Sequence, residues 1–322
     1  MLSGNGQALP VVVHREETGM KKTLTALSIA VATLAASSAL AQDAKLKIGM
    51  TFQEMNNPYF VSMKEALDEA AKAIGAEVIV TDAAHDVAKQ ISDVEDMLQQ
   101  KIDILLINPT DSAGVEAAVQ AAKAQDVIVV AVDANANGPV DTFVGSKNKD
   151  AGYQSCQALG KALNGEGEVA ILDGIPVVPI LQRVEGCKEA LAEFKGIKLV
   201  DTQNGRQDRS VALGVVENML QSRPNLKGIF SVNDGGAMGA LAAIQGAGRD
   251  VKLTSVDGAP EAVQAIAEGT PFVQTTAQFP RDQVRVGLAM ALAQKWGARV
   301  VPKEVPIDVR PVTKENAAGF SW

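Results

Sequence analysis

Short apolar runs alternate with longer amphipathic segments along most of the chain. The runs are rich in valine and isoleucine and apolar throughout, as expected of strands in a parallel sheet that is covered on both faces. They are residues 77–80, 102–107, 127–132, 169–172, 228–232 and 251–256, with further strands starting at Lys47 and spanning 273–277. The segments with a helical period are 64–74, 87–99, 113–124, 151–163, 184–194, 211–222, 237–246 and 283–296. This alternation predicts doubly wound α/β layers joined by right-handed crossovers.

Polar and aromatic residues follow the predicted strands at the points where they end. The carboxyl ends of parallel strands are where open α/β sheets bind ligands. The residues at these ends are Asn57, Tyr59 and Phe60 after the first strand, and then Asp133, Asn233, Asp257 and Gln278. A carboxylate accepts hydrogen bonds from two neighbouring hydroxyls, and Asn and Gln amides both donate and accept them. Aromatic rings cover apolar C–H faces, so the set predicts a site for a sugar or polyol.

Each of these residues also has a purely structural interpretation. Asp257 precedes Pro260 by three residues and is typical of a helix N-cap, as is Asn233. Tyr59 and Phe60 are compatible with a hydrophobic staple at a helix that begins near Val61. These alternatives stay open for each residue alone, whereas the recurrence at five strand ends favours a ligand site.

Residues 20–41 have the three regions of a secretory signal peptide. Lys21 and Lys22 supply the charge, residues 24–36 form an apolar core, and small residues lead to Ala41. The core is shorter than the roughly 20 apolar residues of a membrane span. We therefore predict export with cleavage after Ala41, and we treat residues 1–19 as an upstream extension that does not belong to the fold.

Composition and charge narrow the class of protein. The net charge of −8 argues against nucleic acid as a partner, which needs a basic surface. The roughly 280 residues that follow Ala41 exceed what one core usually serves, so two domains are expected. One histidine, His85, lies beyond the predicted signal, and no dinucleotide-binding, nucleophile-elbow or metal-binding motif is found in the sequence. We therefore expect neither an enzyme nor a cofactor or metal.

The two cysteines, Cys156 and Cys187, lie in consecutive predicted helices. An even pair in an exported protein is compatible with a disulfide, provided that the Cα atoms are within about 7 Å. Two buried thiols acting as small apolar side chains are the alternative. The sequence leaves both open.

Several short motifs together resemble the ribose-binding protein family of periplasmic solute-binding proteins, in order and approximate spacing over residues 46–312. The motifs are Asn56-Asn57-Pro58-Tyr59-Phe60, Leu106-Ile107-Asn108-Pro109-Thr110-Asp111, Val132-Asp133, Val232-Asn233-Asp234, Val256-Asp257-Gly258 and Ala277-Gln278. The resemblance implies two doubly wound, Rossmann-like lobes with parallel sheets, joined by a hinge of three crossings near Ser146, Gln278 and Arg310. The first lobe would be residues 44–146 plus 279–309, and the second 147–278 plus 310–322.

The same resemblance implies a periplasmic, monomeric protein that closes on a small ligand and delivers it to an ABC permease, with a chemoreceptor as a further partner. The implied ligand contacts are Asn57, Tyr59, Phe60 and Asp133 in the first lobe, Asn233, Asp257, Gln278 and Arg209 in the second lobe and hinge, with Gln53 and Arg183 as further candidates. A transcription regulator with a sugar-binding effector domain shares this architecture. Such a regulator would begin with a helix-turn-helix that has a basic face. This chain is acidic, and a predicted signal peptide precedes its α/β region.

Three positions depart from the ribose binders of that family. Ala134 replaces an arginine after Asp133, Leu181 replaces an arginine before the Arg183-x-x-Gly186 turn, and Gln207 replaces an aromatic residue. Two guanidinium groups and one stacking ring are therefore missing, and each charge-assisted donor contributes roughly 1.5–3 kcal/mol. Our hypothesis is that the ligand is another monosaccharide or an acyclic sugar alcohol.

Overall fold

The computed structural model describes residues 4, 7–10 and 45–322. The predicted signal peptide, residues 20–41, lies outside the described residues. The chain divides into the units Met1–Lys45 and Leu46–Trp322, and the second carries the fold described below. In the part of the chain that is described, no helix is both long and apolar enough to cross a membrane.

The strands of this unit are short, and most are apolar on both faces. They are β1 (Lys47–Phe52), β2 (Glu77–Asp82), β3 (Ile104–Ile107), β4 (Ile128–Val132), β5 (Thr142–Ser146), β6 (Glu166–Asp173), β7 (Gly196–Asn204), β8 (Leu226–Ser231), β9 (Lys252–Asp257), β10 (Phe272–Ala277), β11 (Glu304–Ile307) and β12 (Arg310–Thr313). Among the described residues they form two six-stranded sheets, β11-β5-β4-β3-β1-β2 and β12-β10-β9-β8-β6-β7. All pairings are parallel except that of β10 with β12. The predicted fold class of two α/β lobes with mostly parallel sheets is confirmed.

Helices connect the strands and cover the sheets. They are α1 (Pro58–Ile74), α2 (Val87–Gln99), α3 (Glu116–Lys123), α4 (Asn148–Ala162), α5 (Val178–Ala192), α6 (Arg209–Ser222), α7 (Asp234–Gly246), α8 (Pro260–Ala267) and α9 (Pro280–Lys295), followed by a 3-10 turn at Ala317–Gly319. Helices α1 and α5 each begin six residues before the predicted start, because proline in the first turn is compatible with a helix. The sequence Arg183-x-x-Gly186 is therefore inside α5 and is not a turn.

Successive side chains of a strand point to opposite faces of its sheet, and β4 shows this directly. Val130 and Val132 belong to one apolar cluster of the first lobe, and Val129 and Ala131 belong to another on the opposite face. The strand is buried throughout for this reason. A run of this kind cannot hold a polar residue until it ends, which is why Asp133 comes directly after it.

The chain passes between the two sheets at three places. Strand β5 of the first sheet leads to α4, which packs on β9 and β10 of the second; β10 leads to α9, which packs on β4 and β5 of the first. The third passage lies between β11, in the first sheet, and β12, in the second. The carboxyl ends of the parallel strands in both sheets thus face the cleft between the lobes, where the predicted ligand residues lie.

Candidate functional site

A narrow cavity lies between the lobes at these strand ends. The residues lining it are Gln53, Asn57, Tyr59, Phe60, Asp133, Ala134, Val177, Pro179, Ile180, Arg183, Gln207, Asn233, Asp257 and Gln278. The structure therefore brings together nine of the ten candidate ligand residues.

Asp133 is the centre of the first-lobe wall. It follows β4 in a left-handed conformation with a φ of 65°, which is uncommon outside glycine and turns the side chain away from the strand. Its Oδ1 accepts a hydrogen bond of 3.0 Å from the Tyr59 hydroxyl, and its Oδ2 accepts one of 3.2 Å from Nδ2 of Asn108. The Tyr59 hydroxyl in turn accepts from Nε2 of Gln283 at 2.9 Å. The carboxylate is thus held in place from behind, with lone pairs left for a ligand.

Asn57 caps a helix and also lines the cavity. Its Oδ1 accepts from the backbone N–H of Tyr59 at 3.0 Å and caps α1, while its Nδ2 donates to Glu54 at 3.2 Å. The residue still lines the cavity. Because the cap fixes the first turn of α1, it also fixes Tyr59 and Phe60, whose rings meet edge to face with centroids 5.3 Å apart. Both rings are buried and line the cavity. A hydrophobic staple alone would not account for their position in the cavity wall.

Arg183 forms the second-lobe wall because α4 and α5 approach unusually closely. A Cβ atom at Gly152 would lie 1.9 Å from the Arg183 carbonyl oxygen, and one at Gly186 would lie 2.0 Å from the Lys149 carbonyl oxygen. No side chain fits at either position. Cys156 of α4 and Cys187 of α5 form a disulfide across this contact, with Cα atoms 5.0 Å apart.

Two nitrogens of the Arg183 guanidinium, Nε and Nη1, donate to buried partners. Its Nε donates to Oδ1 of Asn148 at 2.8 Å, and its Nη1 donates to the Val232 carbonyl at 2.8 Å and to Asp257 at 3.3 Å. Only 3% of the Arg183 residue is exposed, so its charge is held in a fixed position in the wall.

Asp257 has a φ of 143°, the second positive value among the cavity aspartates. Its Oδ1 accepts from Nε2 of Gln278 at 2.7 Å, and its Oδ2 accepts from the backbone N–H of Asp234 at 3.2 Å. The N-cap of α8 is Ala259, without a side-chain bond, so Asp257 does not cap that helix. Asp234 accepts from the Ala259 N–H at 2.7 Å instead.

Asn233 caps α7 by accepting from the backbone N–H of Gly236 at 3.0 Å. Its Nδ2 donates to the Gln207 carbonyl at 3.2 Å. Like Asn57 it lines the cavity while capping a helix, so for these two residues the two interpretations do not compete.

Two amide oxygens in the cavity wall have no hydrogen-bond partner in the described part of the chain. They are Oε1 of Gln53 and Oε1 of Gln278, on residues that are 4% and 1% exposed. A buried polar atom without a partner costs about 1–3 kcal/mol. Both atoms are therefore suited to accept hydrogen bonds from a ligand.

The tenth candidate, Arg209, is not among the residues that line this cavity. Its guanidinium forms an ion pair with Glu261 and is about half exposed. It borders an adjoining depression between the lobes, which shares Asn57, Gln207 and Asp257 with the cavity. The cause is local: Arg209 is the first residue of α6, one residue after the Asp208 cap, and Glu261 in the first turn of α8 lies within its reach.

Comparisons with known proteins support the same family. The family model described as "Periplasmic binding protein domain" matches residues 48–298. The chain belongs to the periplasmic binding protein family. The ribose import binding protein of Bacillus subtilis is 37% identical over 80% of this chain and 84% of its own length. The xylitol-binding protein of Mycolicibacterium smegmatis is 30% identical over 84% of this chain and 78% of its own length. A crystal structure of the Caulobacter myo-inositol binding protein bound to myo-inositol has a TM-score of 0.81 and 29% identity, covering 87% of this chain and 97% of that one.

Within this periplasmic binding protein, the cavity also has an apolar side, of which the sequence indicated only Ala134. Val177, Pro179 and Ile180 line it as well, and Val177 and Ile180 also belong to the second-lobe core. Apolar residues carry no chemical signature of a ligand site, so nothing in the sequence distinguished them from core. Gln207 also lines the cavity. The sequence marked this position only by the absence of an aromatic residue.

Burial dominates the electrostatics of this periplasmic binding protein's site. It raises the pKa of the Asp133 carboxyl to about 6, against the lowering effects of the Arg183 charge and the Tyr59 hydroxyl. Burial also raises the pKa of Asp257, against the Arg183 charge, and it raises the pKa of Asp234 together with the negative charge of Asp257. The pKa of Tyr59 is raised by burial and then by Asp133, which keeps its hydroxyl protonated. One arginine thus faces several carboxyls that are costly to ionise without further donors.

Proposed function

We propose that this protein binds a small monosaccharide or an acyclic sugar alcohol between its lobes and delivers it to an ABC permease. The observation that carries the proposal is the match between the cavity and such a ligand. Acceptors without enough donors, namely Asp133, Asp257 and the amide oxygens of Gln53 and Gln278, line the cavity between the lobes. Neighbouring hydroxyls supply donors of this kind in pairs.

The proposed ligand contacts are the cavity-lining members of the predicted set. Asn57, Tyr59, Phe60, Asp133 and Gln53 would contact the ligand from the first lobe, and Asn233, Asp257, Gln278 and Arg183 from the second lobe and hinge. Arg209 is left out of this set because it pairs with Glu261 outside the cavity.

The names of the relatives and structural neighbours include ribose, xylitol and myo-inositol among other sugars and polyols. Two features of the wall favour a polyol or another monosaccharide over ribose. Ala134 gives no guanidinium fork, and Gln207 gives an amide where ribose binders of the family have a ring. An acyclic polyol has little flat C–H surface, so it loses less than a furanose or pyranose does when one stacking ring is absent.

Binding would act through a shift between open and closed arrangements of the lobes. A ligand that touches both walls stabilises the closed state by its extra contacts there. The permease would then recognise the closed surface. Export to the periplasm with cleavage after Ala41, a monomeric state and a chemoreceptor as second partner belong to the same proposal. The relatives are import binding proteins, which favours this function over the transcription regulator.

A thermal-shift screen of pentoses, hexoses, inositols and C4 to C6 alditols tests the ligand class. A ligand at a hundredfold its Kd should stabilise the protein by about 2.7 kcal/mol. An Asp257→Asn variant serves as the control, because it keeps the shape of the wall and removes the charge. A response to D-ribose alone would contradict the polyol hypothesis, and no response to any member of the screen would contradict the proposed function.

Native mass spectrometry of protein purified without added sugar complements the screen. A retained molecule gives the ligand mass directly and separates pentoses from pentitols, which differ by two hydrogens. Sequencing the N-terminus of the periplasmic protein tests the cleavage site, with Gln42 as the expected first residue.

A further inference from the structure

Two aromatic residues after β12 pack against different lobes although they are only two positions apart. Phe320 packs against the second-lobe core, and Trp322 packs against the first-lobe core. The segment that connects them therefore lies across the cleft at the hinge. The predicted boundary placed all of residues 310–322 in the second lobe, and Trp322 departs from it.

Trp322 makes one contact to each wall of the cavity. Its indole ring meets the Tyr59 ring edge to face, with centroids 5.8 Å apart and planes at 84°. Its Nε1 donates to the backbone carbonyl of Asp257 at 3.0 Å. Tyr59 carries the hydroxyl that holds Asp133, and Asp257 carries the second cavity carboxylate. Trp322 does not itself line the cavity, so it supports both walls from outside.

Phe320 anchors the other end of this segment. Its ring lies near that of Phe279, with centroids 6.4 Å apart, and Arg310 lies over the Phe279 ring at 5.8 Å. Gly258 leaves room for Phe320, since a Cβ there would lie 3.1 Å from the Phe320 ring and 2.6 Å from Ala277 Cβ. Phe279, which follows the hinge residue Gln278, is therefore packed near the same segment that holds Trp322.

We propose that Trp322 is a positioning residue that ties Tyr59 of the first lobe to Asp257 of the second and thereby stabilises the closed, ligand-bound arrangement. The effect on ligand binding rests on the proposed function. The contacts of Trp322 with Tyr59 and Asp257 rest on the geometry alone. When the lobes separate, Tyr59 and Asp257 move apart, and one indole cannot keep both contacts. The tie is thus made only in the closed state, which is the condition for an effect on binding.

The chain offers a direct reporter, because it has two tryptophans. Trp296 is 75% exposed and lies at the end of α9, away from the cavity. In a Trp296→Phe variant the emission comes from Trp322 alone, and we expect it to change on titration with the ligand found in the screen. Trp322→Phe, which keeps Trp296, is the matched control and should show no such change.

Binding kinetics then test the positioning role. Trp322→Ala should weaken binding about tenfold, which is the effect of losing one aromatic pair and one hydrogen bond. The loss of affinity should come from a faster dissociation rate. Trp322→Phe keeps a ring against Tyr59 and should recover part of the affinity. An unchanged affinity and dissociation rate in Trp322→Ala would overturn the proposal. So would a loss of affinity that appears only at temperatures where the ligand-free variant has begun to unfold.

Small-angle scattering of ligand-free protein separates this inference from the proposed function. Trp322→Ala should increase the fraction of open molecules, and therefore the radius of gyration, relative to the unaltered protein. If no ligand is found, the proposed function fails while this comparison still tests the tie. If a ligand binds and the variant matches the unaltered protein in both scattering and dissociation rate, the tie fails alone.

Discussion

Nη1 of Arg183 lies 3.3 Å from Oδ1 of Asp257, and both side chains are more than nine-tenths buried. Taking two charges out of water costs more than their attraction returns unless other bonds complete them. Here Asn148 and the Val232 carbonyl also accept hydrogen bonds from Arg183, and Gln278 and the Asp234 N–H donate to the carboxylate. The pair is thus a fixed dipole in the second-lobe wall, connected to the hinge through Gln278.

Removing Arg183 should be costly for both stability and binding. Arg183→Ala leaves Asp257 buried without its cation, and such a change lowers the free energy of unfolding by about 3–5 kcal/mol. Urea unfolding of the ligand-free protein measures this, and titration with the ligand should show no binding. Arg183→Lys keeps the charge but not the fork, so we expect intermediate stability.

Arg209→Ala is the matched control for this pair. Its partner Glu261 is exposed, and exposed pairs contribute only about 0–1 kcal/mol. We expect almost unchanged stability and affinity. If Arg209→Ala instead abolished binding while Arg183→Ala bound normally, the assignment of Arg183 to the ligand wall and of Arg209 to the exterior would have to be reversed.

Tyr59→Phe should weaken binding and leave the fold intact. The change removes the hydroxyl that donates to Asp133 and accepts from Gln283, while the ring that faces the ligand stays. A net hydrogen bond contributes about 0.5–1.5 kcal/mol, so calorimetry should show about a three- to tenfold loss of affinity. Tyr153→Phe, which removes an exposed hydroxyl bonded to Glu193, is the control and should bind normally. Equal affinity of the two variants would argue against a role for the hydroxyl.

The sequence predicted most of the polar wall because strand-end chemistry is local. Asp133 directly follows β4 and Asp257 is the last residue of β9, and that position alone brings them to the cleft. Arg183 is different: its partner Asn148 is 35 positions away, and only the close contact of α4 with α5 joins them. Gln283 and Trp322 likewise support Tyr59 from distant parts of the chain. Contacts of this kind depend on tertiary packing, which local patterns do not encode.

Several elements were missed for a related reason. Strands β7 and β11 are at sheet edges and are largely exposed, so they lack the continuous apolar run used to recognise a buried strand. Helix α8 has eight residues and too few turns for a periodic pattern. Asp257 does not cap α8, the structural alternative left open for it, because Asp234 at the start of α7 accepts from the Ala259 N–H. Asp257 was thereby left for the cavity.

The disulfide between Cys156 and Cys187 should stabilise the second lobe without affecting the ligand contacts. It closes a loop of 31 residues, for which the loss of unfolded-state entropy corresponds to about 3–4 kcal/mol. A Cys156→Ala, Cys187→Ala double variant should therefore unfold at lower urea concentration and still bind at temperatures where it is folded, since neither sulfur lines the cavity. Thiol counting under denaturing conditions checks the starting state. Two free thiols in protein isolated from the periplasm would contradict the bond.

The raised pKa of Asp133 predicts opposite pH effects on stability and on binding. For a carboxyl whose folded-state pKa rises from 3.8 to about 6, the protonated form is favoured in the folded state. The stability that this gives is present below pH 4 and is lost as the pH rises through about 6. Asp133→Asn, which stays neutral, should therefore exceed the unaltered ligand-free protein in stability by up to about 3 kcal/mol at pH 7.5 and by much less at pH 4.

Binding should follow the carboxylate form, because ligand hydroxyls donate to it. With the ligand-free pKa at about 6, affinity at pH 5 should be about tenfold weaker than at pH 7.5, and binding near pH 6 should release about half a proton per molecule. Calorimetry in buffers of different ionisation enthalpy counts that proton. Asp257 and Asp234 also have raised pKa values, so the difference between the unaltered protein and Asp133→Asn isolates Asp133. A stability difference between these two proteins that stays constant from pH 4 to 7.5 would show that Asp133 does not titrate in this range.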